Sequence, residues 1–314
     1  MAYLELFGGL VYLLMGGDLL VRGAVALARR ANVSPMLVGV TIVALGTSAP
    51  ELFVSLEAAL TSHPGIAIGN VVGSNISNAL LVTGSLAIIC PILSEDGDTQ
   101  ADTIAMLATS ILLIVLCLGG AISPVEGVVL LVGLVLFLGY KARHLGRIER
   151  REARLEFVPG LPGKGWMIAL FIVVGSVWLP LGAHLLIGAA SMIAGQLGVS
   201  EAVIGLTVVA VGTSLPELAT VFVAAARRHV DVALGNVIGS NVLNILAILG
   251  AAAVIPWKPL VVPGQFVWLD LPVMLAASIL VAYFTLRRRP LGRSMGVLML
   301  LAYGVYVAVL YGAT

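Results

Sequence analysis

Charged residues and cysteines are scarce in this chain: only 11% of its 314 residues are Asp, Glu, Lys or Arg, and it has 2 cysteines. So few charges, with 60% hydrophobic residues and a mean hydropathy of +1.11, exclude a soluble globular domain. A net charge of +1 without a basic domain excludes nucleic-acid binding. Cys90 and Cys117 stand far apart in apolar stretches, which indicates packing residues rather than a zinc site or a disulfide framework.

Apolar stretches of about 20 residues, the length that crosses a bilayer, recur from end to end. We therefore predict an all-α integral membrane protein with ten transmembrane helices. The predicted spans are residues 3–28, 34–61, 66–92, 101–118, 121–141, 165–195, 200–226, 230–256, 265–286 and 294–312.

The basic residues lie in short segments between these spans. They are Arg29, Arg30, the segment 141–164, Arg227, Arg228 and the segment 287–293. The positive-inside rule puts all of them in the cytoplasm if the N-terminus is outside, and Lys258 is the exception. We expect a multi-pass protein of a prokaryotic plasma (inner) membrane with both termini outside.

An internal repeat organises the chain. Residues 33–84 align without a gap on residues 199–250, with about half the positions identical. The first copy contains VALGTSAPEL and GNVVGSN, and the second contains VAVGTSLPEL and GNVIGSN. Chance does not produce a repeat of this length.

The repeat divides the chain into two halves, residues 1–141 and 165–314, joined by a charged cytoplasmic linker, residues 142–164. Five spans in each half is an odd number, so the second half enters the membrane from the opposite side. We predict two inverted five-helix repeats, an arrangement typical of secondary transporters. A regulatory role for the linker is the alternative.

The repeated GTSxPE motif carries oxygen ligands at helical spacing. Thr47 and Glu51 are four residues apart on one helix face, and Thr213 and Glu217 repeat the arrangement. A proline before each glutamate interrupts the helical hydrogen bonds, so we expect carbonyls near Ala44, Thr47, Ala210 and Thr213 to be released toward a ligand.

The second motif adds neutral oxygens, since Ser74 and Asn78 lie four apart, as do Ser240 and Asn244. Together the motifs predict a cage of oxygen atoms with two carboxylates, which suits Ca2+ or Na+; softer metals would need Cys or His. The alternatives are protonated or capping roles for Glu51 and Glu217, and ordinary interhelical hydrogen bonds for the Ser and Asn side chains.

Other polar residues have simpler explanations. Asp18 and Arg22 are four apart, which predicts an intrahelical ion pair, with a gating role as the alternative. His63 and His229 occupy equivalent repeat positions next to loops, and an interfacial role is favoured over a proton relay. Asp270, followed by Pro272, is predicted to form a local cap or kink.

The motif pair GTSxPE and GNxxGSNxxN, present once in each half, resembles the alpha-repeats of the cation/Ca2+ antiporter superfamily, and the prokaryotic Na+/Ca2+ exchanger family within it. The resemblance implies exchange of Ca2+ for Na+ by alternating access. Spans one and six would be a mobile pair that slides across the remaining helices. The transported ions and the lipid bilayer are the only partners expected, without a cofactor or an obligatory protein partner.

By position, the resemblance makes Glu51 and Glu217 shared ligands of Ca2+ and Na+, helped by the carbonyls of Thr47 and Thr213. It puts further residues around the flanking Na+ positions: Thr47, Ser48, Ser74, Thr213, Ser214, Ser240 and the carbonyls of Ala44 and Ala210. Asn78 and Asn244 would face the centre.

Asn244 departs from those exchangers of the family that carry Asp at this position. With two carboxylates instead of three titratable groups, we expect Ca2+ to exchange for fewer Na+, and an H+- or K+-coupled cation exchanger on the same fold is the alternative function. An enzyme is not expected, since the chain has no HExxH motif and no Cys/His cluster. A channel would not require inverted repeats.

Overall fold

The computed structural model describes residues 2–92, 97–144, 160–197 and 212–312. These residues are mostly helical. The α-helices are α1 (Ala2–Ala31), α2 (Pro35–Val38), α3 (Ala44–Thr47), α4 (Ala49–Leu60), α5 (Pro64–Ser77), α6 (Thr83–Ile89), α7 (Gly97–Cys117), α8 (Pro124–His144), α9 (Gly165–Gln196), α10 (Leu215–Ala226), α11 (Val230–Leu243), α12 (Gly250–Val254), α13 (Leu271–Leu286) and α14 (Arg293–Gly312). The π-helical segments are π1 (Gly39–Val43), π2 (Asn78–Val82), π3 (Asn244–Leu249) and π4 (Phe266–Asp270), and the strands are β1 (Ala121–Ile122) and β2 (Leu260–Val261).

Within the described residues, 8 helices are long and apolar enough to cross a membrane, or 9 if a bent pair counts as one span. The bent pair is Pro35–Thr47 with Ala49–Leu60, which meet at 49°. This confirms the prediction of a helical, multi-pass membrane protein. The predicted span 200–226 lies partly outside the described residues, which contain its second part as α10.

From the motif helices onward, where both copies of the repeat are described, the two copies have the same local structure. Helices α4 and α10 both have 12 residues, and α5 and α11 both have 14. The break before each motif helix has nearly identical backbone angles, with φ −83° and ψ 7° at Ser48 and φ −87° and ψ 2° at Ser214. The same motif therefore produces the same break in both halves.

Two short backbone pairings connect the halves. Ile122 in β1 pairs antiparallel with Leu260 in β2. Ile92, which follows α6, pairs antiparallel with Leu291, which precedes α14. Ile92 and Leu260 lie at or just after the end of the third predicted span of their halves, and Ile122 and Leu291 lie at or just before the start of the fifth. The two pairings are therefore equivalent when the halves are exchanged.

Helices α1 and α9 pack closely through glycines spaced seven residues apart. A Cβ atom on Gly9 would lie 2.8 Å from the carbonyl oxygen of Gly182, and one on Gly175 would lie 2.7 Å from that of Gly16. Small residues of this kind let two membrane helices approach at backbone distance. The first long helix of each half therefore forms a close pair with its counterpart.

Helix α11 lies at the centre of the fold. All of its residues from Val232 to Leu243 are buried. It packs against α2 and π1 at backbone distance, because a Cβ atom on Gly39 would lie 2.7 Å from the carbonyl oxygen of Val232 and one on Gly235 would lie 2.6 Å from that of Met36. The start of the second motif of one half thus contacts the segment that leads into the first motif of the other.

The structure tests several of the predictions for polar residues. Asp18 and Arg22 form the predicted ion pair at 3.3 Å, and Asp18 also pairs with Arg227. Asp270 ends π4 and accepts a hydrogen bond of 2.7 Å from the Tyr306 hydroxyl. Lys141, the last residue of the predicted span 121–141, is buried in α8 and pairs with Asp102 of α7. Its assignment to the cytoplasmic segment 141–164 was wrong, because α8 continues to His144.

Candidate functional site

Each motif glutamate lies in the first turn of a helix that begins at the break. Glu51 is in the first turn of α4, and Glu217 is in the first turn of α10. The unpaired N–H groups and the dipole of a helix N-terminus favour negative charge nearby. The prolines Pro50 and Pro216 stand at the start of these helices, where their missing N–H costs little.

The prediction that the Ala44 carbonyl is released was wrong. Its oxygen accepts the backbone N–H of Ser48 at 3.0 Å. The proline removes a different bond, because Pro50 has no N–H to donate to the carbonyl four residues earlier, at Gly46. The Ala44 oxygen still has a second lone pair, and the Thr47 hydroxyl lies 3.3 Å from it. The corresponding carbonyl of Ala210 lies outside the described residues.

Hydrogen bonds join the first motif of one half to both motifs of the other. The Ser48 hydroxyl donates to Oε1 of Glu217 at 3.3 Å. The Thr47 hydroxyl lies 3.0 Å from Oδ1 of Asn236 and 3.5 Å from Oγ of Ser240. Residues almost 200 positions apart in the chain therefore form one polar cluster.

The two carboxylates are buried together. Glu51 is 1% exposed, Glu217 is 0% exposed, and they are close enough to repel each other. Among the residues the structure describes, Oε2 of each has no hydrogen-bond partner. Two buried, repelling carboxylates are costly unless a cation lies between them.

The remaining predicted ligands are almost all buried as well. Ser74, Asn78 and Ser214 are at most 4% exposed, and in the described parts of the chain their side-chain oxygens have no hydrogen-bond partner. Thr213 is half-buried. The structure therefore holds a set of buried oxygen atoms that are available to a ligand.

Asn78 and Asn244 are the first residues of the π-helical segments π2 and π3. A π-helical turn inserts an extra residue into the helical hydrogen-bond pattern and is frequent at functional sites. No pattern in the sequence predicts these segments. Both segments begin at the last asparagine of the repeated GNxxGSNxxN motif, so they occupy equivalent positions in the two halves.

Two further asparagines, those of the GN dipeptides, also belong to the site region and were not predicted. Asn70 donates to the carbonyl of Glu51 at 3.0 Å and to the Ser55 hydroxyl at 2.8 Å, so it holds the start of α4. Asn236, its counterpart, accepts from Thr47 and is 0% exposed. Both are identical in the two copies of the repeat, and that identity was the available signal.

Within the described ranges, no group of three His, Cys, Asp or Glu side chains could hold a metal ion. The cluster therefore has two carboxylates and otherwise neutral oxygens. His63 and His229 directly precede α5 and α11. Burial, followed by the charges of Arg29 and Arg227, lowers the pKa of His229 below its usual value of 6.5, so this side chain is neutral at pH 7.

Comparisons of this chain with known proteins all point to one family. The family described as "Sodium/calcium exchanger protein" matches residues 1–142 and 167–312, one match in each half. The chain is 36% identical to the putative antiporter CaxA of Alkalimonas amylolytica, over 97% of both chains. It is 32% identical to the sodium/calcium exchanger MaX1 of Methanosarcina acetivorans, over 98% of both chains.

A solved structure of the sodium-calcium exchanger NCX_Mj, soaked with Na+ and Sr2+, has the same fold. It superposes with a TM-score of 0.84 at 34% identity and covers 98% of this chain and 99% of NCX_Mj. The family matches in both halves, and the relatives and the solved structure match over nearly the whole chain. These findings agree with the repeated motifs and the buried carboxylates. The chain belongs to the sodium/calcium exchanger family of membrane antiporters.

Proposed function

We propose that this protein is a secondary-active antiporter that exchanges Ca2+ for Na+ by alternating access. One observation carries the proposal: Glu51 and Glu217, at equivalent positions of the two halves, are both buried at a cluster of hydroxyl and amide oxygens from both halves. Oxygen ligands and two negative charges match Ca2+, and the same atoms suit Na+ when they are divided among several ions. Relatives named as sodium/calcium exchangers support the choice of ions.

The proposed ligands are Glu51 and Glu217, with neutral oxygens around them. The neutral ligands are Thr47, Ser48, Ser74, Asn78, Thr213, Ser214, Ser240 and Asn244, with the carbonyls of Ala44 and Ala210. Burial of nearly all of the described members supports this set. The bonds from Ser48 to Glu217 and from Thr47 to Asn236 support a site at the junction of the halves.

The proposed architecture is ten helices in two inverted halves, residues 1–141 and 165–314, with residues 142–164 as a cytoplasmic linker and both termini outside. The exchange-related pairings Ile92–Leu291 and Ile122–Leu260 support the inverted arrangement. Inverted halves give the protein two conformations of similar energy that open to opposite sides.

Helices α1 and α9 are the proposed mobile pair. Their glycine-mediated backbone contact supports movement as one unit, because helices packed this closely separate less easily than helices that meet through long side chains. The remaining helices, with α11 at their centre, would form the rigid part that holds Glu51 and Glu217.

The test is uptake of 45Ca2+ into proteoliposomes that contain the purified protein. Vesicles loaded with Na+ are compared with vesicles loaded with K+ and with vesicles under an imposed pH gradient, and Glu51→Gln is run beside wild type. Uptake that needs internal Na+ and disappears in the variant supports Na+/Ca2+ exchange. Uptake driven only by protons or K+ favours the alternative coupling, for which the neutral Asn244 leaves room, and no Ca2+ movement contradicts the substrate.

A further inference from the structure

A chain of amide groups crosses between the two halves beside the candidate site. Nδ2 of Asn244 donates to Oδ1 of Asn75 at 3.0 Å. Nδ2 of Asn75 donates to the backbone carbonyl oxygen of Asn241 at 3.3 Å and lies 3.9 Å from Sδ of Met274. Asn75, Asn241 and Asn244 are each at most 1% exposed, so water does not compete for these bonds.

The chemistry of the groups fixes the direction of every bond in this chain. The carbonyl oxygen of Asn241 has no proton, so the amide edge of Asn75 that faces it must be the NH2 group. The oxygen of Asn75 then faces Asn244 and can only accept. Asn244 must therefore turn its NH2 group toward Asn75, and its own oxygen is held on the opposite edge of the amide.

The oxygen of Asn244 is buried and, in the part of the chain that is described, has no hydrogen-bond partner. Asn244 begins π3, which packs against α4, the helix that carries Glu51. A buried carbonyl oxygen without a donor is costly unless it meets a cation or another donor. The opposite orientation would present N–H groups, which repel a cation.

Asn78, the counterpart of Asn244 in the first half, is not held by hydrogen bonds of this kind in the described residues. Among the described residues, neither amide atom of Asn78 has a hydrogen-bond partner. Asn241, the counterpart of Asn75, directs its Nδ2 to Sδ of Met106 at 3.6 Å instead. Hydrogen bonds therefore fix the orientation of the amide of Asn244 but not that of Asn78. The local sequence does not explain this difference, because both halves contain the same serine and asparagines of the GSNxxN motif.

We propose that Asn75 is a positioning residue that fixes the amide of Asn244 with its carbonyl oxygen toward the transported cation. Asn75 does not bind the ion in this account, and it acts only through Asn244. The inference deepens the proposed exchange function and rests on it. It predicts a specific dependence: removal of Asn75 matters for ion affinity only while Asn244 is present.

The test is a double-mutant cycle on the half-saturating Ca2+ concentration for Na+-driven 45Ca2+ uptake. Asn75→Ala is expected to raise this concentration about five- to tenfold, the effect of one lost buried hydrogen bond, with the maximal rate within about twofold of wild type. Asn244→Ala should raise it at least as much, and the double variant should resemble Asn244→Ala alone. Additive effects of the two substitutions would overturn the inference, because a purely structural Asn75 would act independently.

Met274→Leu is the matched control. It removes the sulfur next to Asn75 Nδ2 and keeps the volume and all three amide groups, so the half-saturating concentration should stay within about twofold of wild type. A rise equal to that of Asn75→Ala would attribute the effect to packing and would contradict the proposal. If Asn75→Ala does not fold, Asn75→Ser replaces it in the same cycle, since serine is too short to accept from Asn244.

The outcomes separate the two proposals. Wild-type protein that shows no Na+-dependent uptake contradicts the exchange function, whereas normal wild-type exchange with additive variants contradicts only the role of Asn75. The same cycle, measured as the Ca2+-dependent shift in melting temperature of the purified protein, tests the positioning role when another ion drives transport. A Ca2+-dependent shift that Asn75→Ala reduces only when Asn244 is present supports it, and an equal reduction in both backgrounds overturns it.

Discussion

The Ser48 hydroxyl lies 3.3 Å from Oε1 of Glu217, although 169 residues separate them in the chain. The same two positions exist in the other half as Ser214 and Glu51, and all four side chains are at most 4% exposed. The bond therefore marks the place where the two copies of one motif meet. An ion bound there would contact both halves at once, so each half would supply part of the site.

The two carboxylates should be essential for exchange. Glu51→Gln and Glu217→Gln each remove one of the two charges, and we expect Ca2+ uptake to fall by about 100-fold or more, since ligand charge shifts Ca2+ affinity by orders of magnitude. Glu57→Gln, on the exposed side of α4, is the control and should remain within about twofold of wild type. A Gln variant at either site that retains full uptake would contradict the assignment.

The hydrogen bond from Thr47 to Asn236 should also affect ion affinity. Thr47→Val removes the donor and leaves the buried Asn236 oxygen unpaired, which costs about 1 to 3 kcal/mol. We expect the half-saturating Ca2+ concentration to rise at least about fivefold, whereas Thr47→Ser keeps the hydroxyl and should stay near wild type. A rise with Ser equal to that with Val would contradict the role of this hydrogen bond, because Ser keeps the hydroxyl.

The neutral side chain of Asn244 should keep the exchange close to electroneutral. Two carboxylates balance the charge of one Ca2+, so we expect fewer than three Na+ to be exchanged for each Ca2+. The measurement is the reversal potential of transport in proteoliposomes with defined ion gradients. A current that reverses at a three-to-one stoichiometry would disprove this prediction, and Asn244→Asp shows whether a third acidic group changes the number of ions.

The ion pair between Asp18 and Arg227 links the proposed mobile pair to the rest of the protein, because Asp18 belongs to α1 and Arg227 follows α10. Both side chains are partly exposed, so the pair is worth roughly 0.5 to 1 kcal/mol. Arg227→Gln should therefore change the maximal exchange rate by about two- to fivefold without moving the half-saturating Ca2+ concentration. A changed affinity at an unchanged rate would argue against a role in the conformational step.

The close approach of α2 to α11 should not tolerate an added methyl group. A Cβ atom on Gly235 would lie 2.6 Å from the backbone oxygen of Met36, and neither backbone can move without displacing the site. We expect Gly235→Ala to destabilise the protein by about 1 to 3 kcal/mol, measured as a lower melting temperature. Gly188→Ala, whose added atom meets nothing within 4 Å among the described residues, should leave the melting temperature unchanged or raise it.

Much of the helical architecture follows from the sequence, because in a bilayer an apolar stretch of about 20 residues satisfies its backbone bonds only as a helix. The predicted spans 165–195 and 265–286 agree with the helices to within a residue or two at each end. The internal repeat likewise indicated which residues occupy equivalent positions, since two copies of one sequence have the same local preferences. Burial of Glu51 and Glu217 agrees with their assignment to a site away from water.

By itself, the sequence determined the membrane class, the internal repeat, and the family through its motifs. Only the tertiary structure decided which atoms meet: Ser48 with Glu217, Thr47 with Asn236, and Asn75 with Asn244. It also decided that the Ala44 carbonyl keeps a backbone bond and that π-helical segments begin at Asn78 and Asn244. The physical reason is that hydropathy and helix formation are properties of a short stretch, whereas a hydrogen bond between residues almost 200 positions apart depends on how the two halves pack.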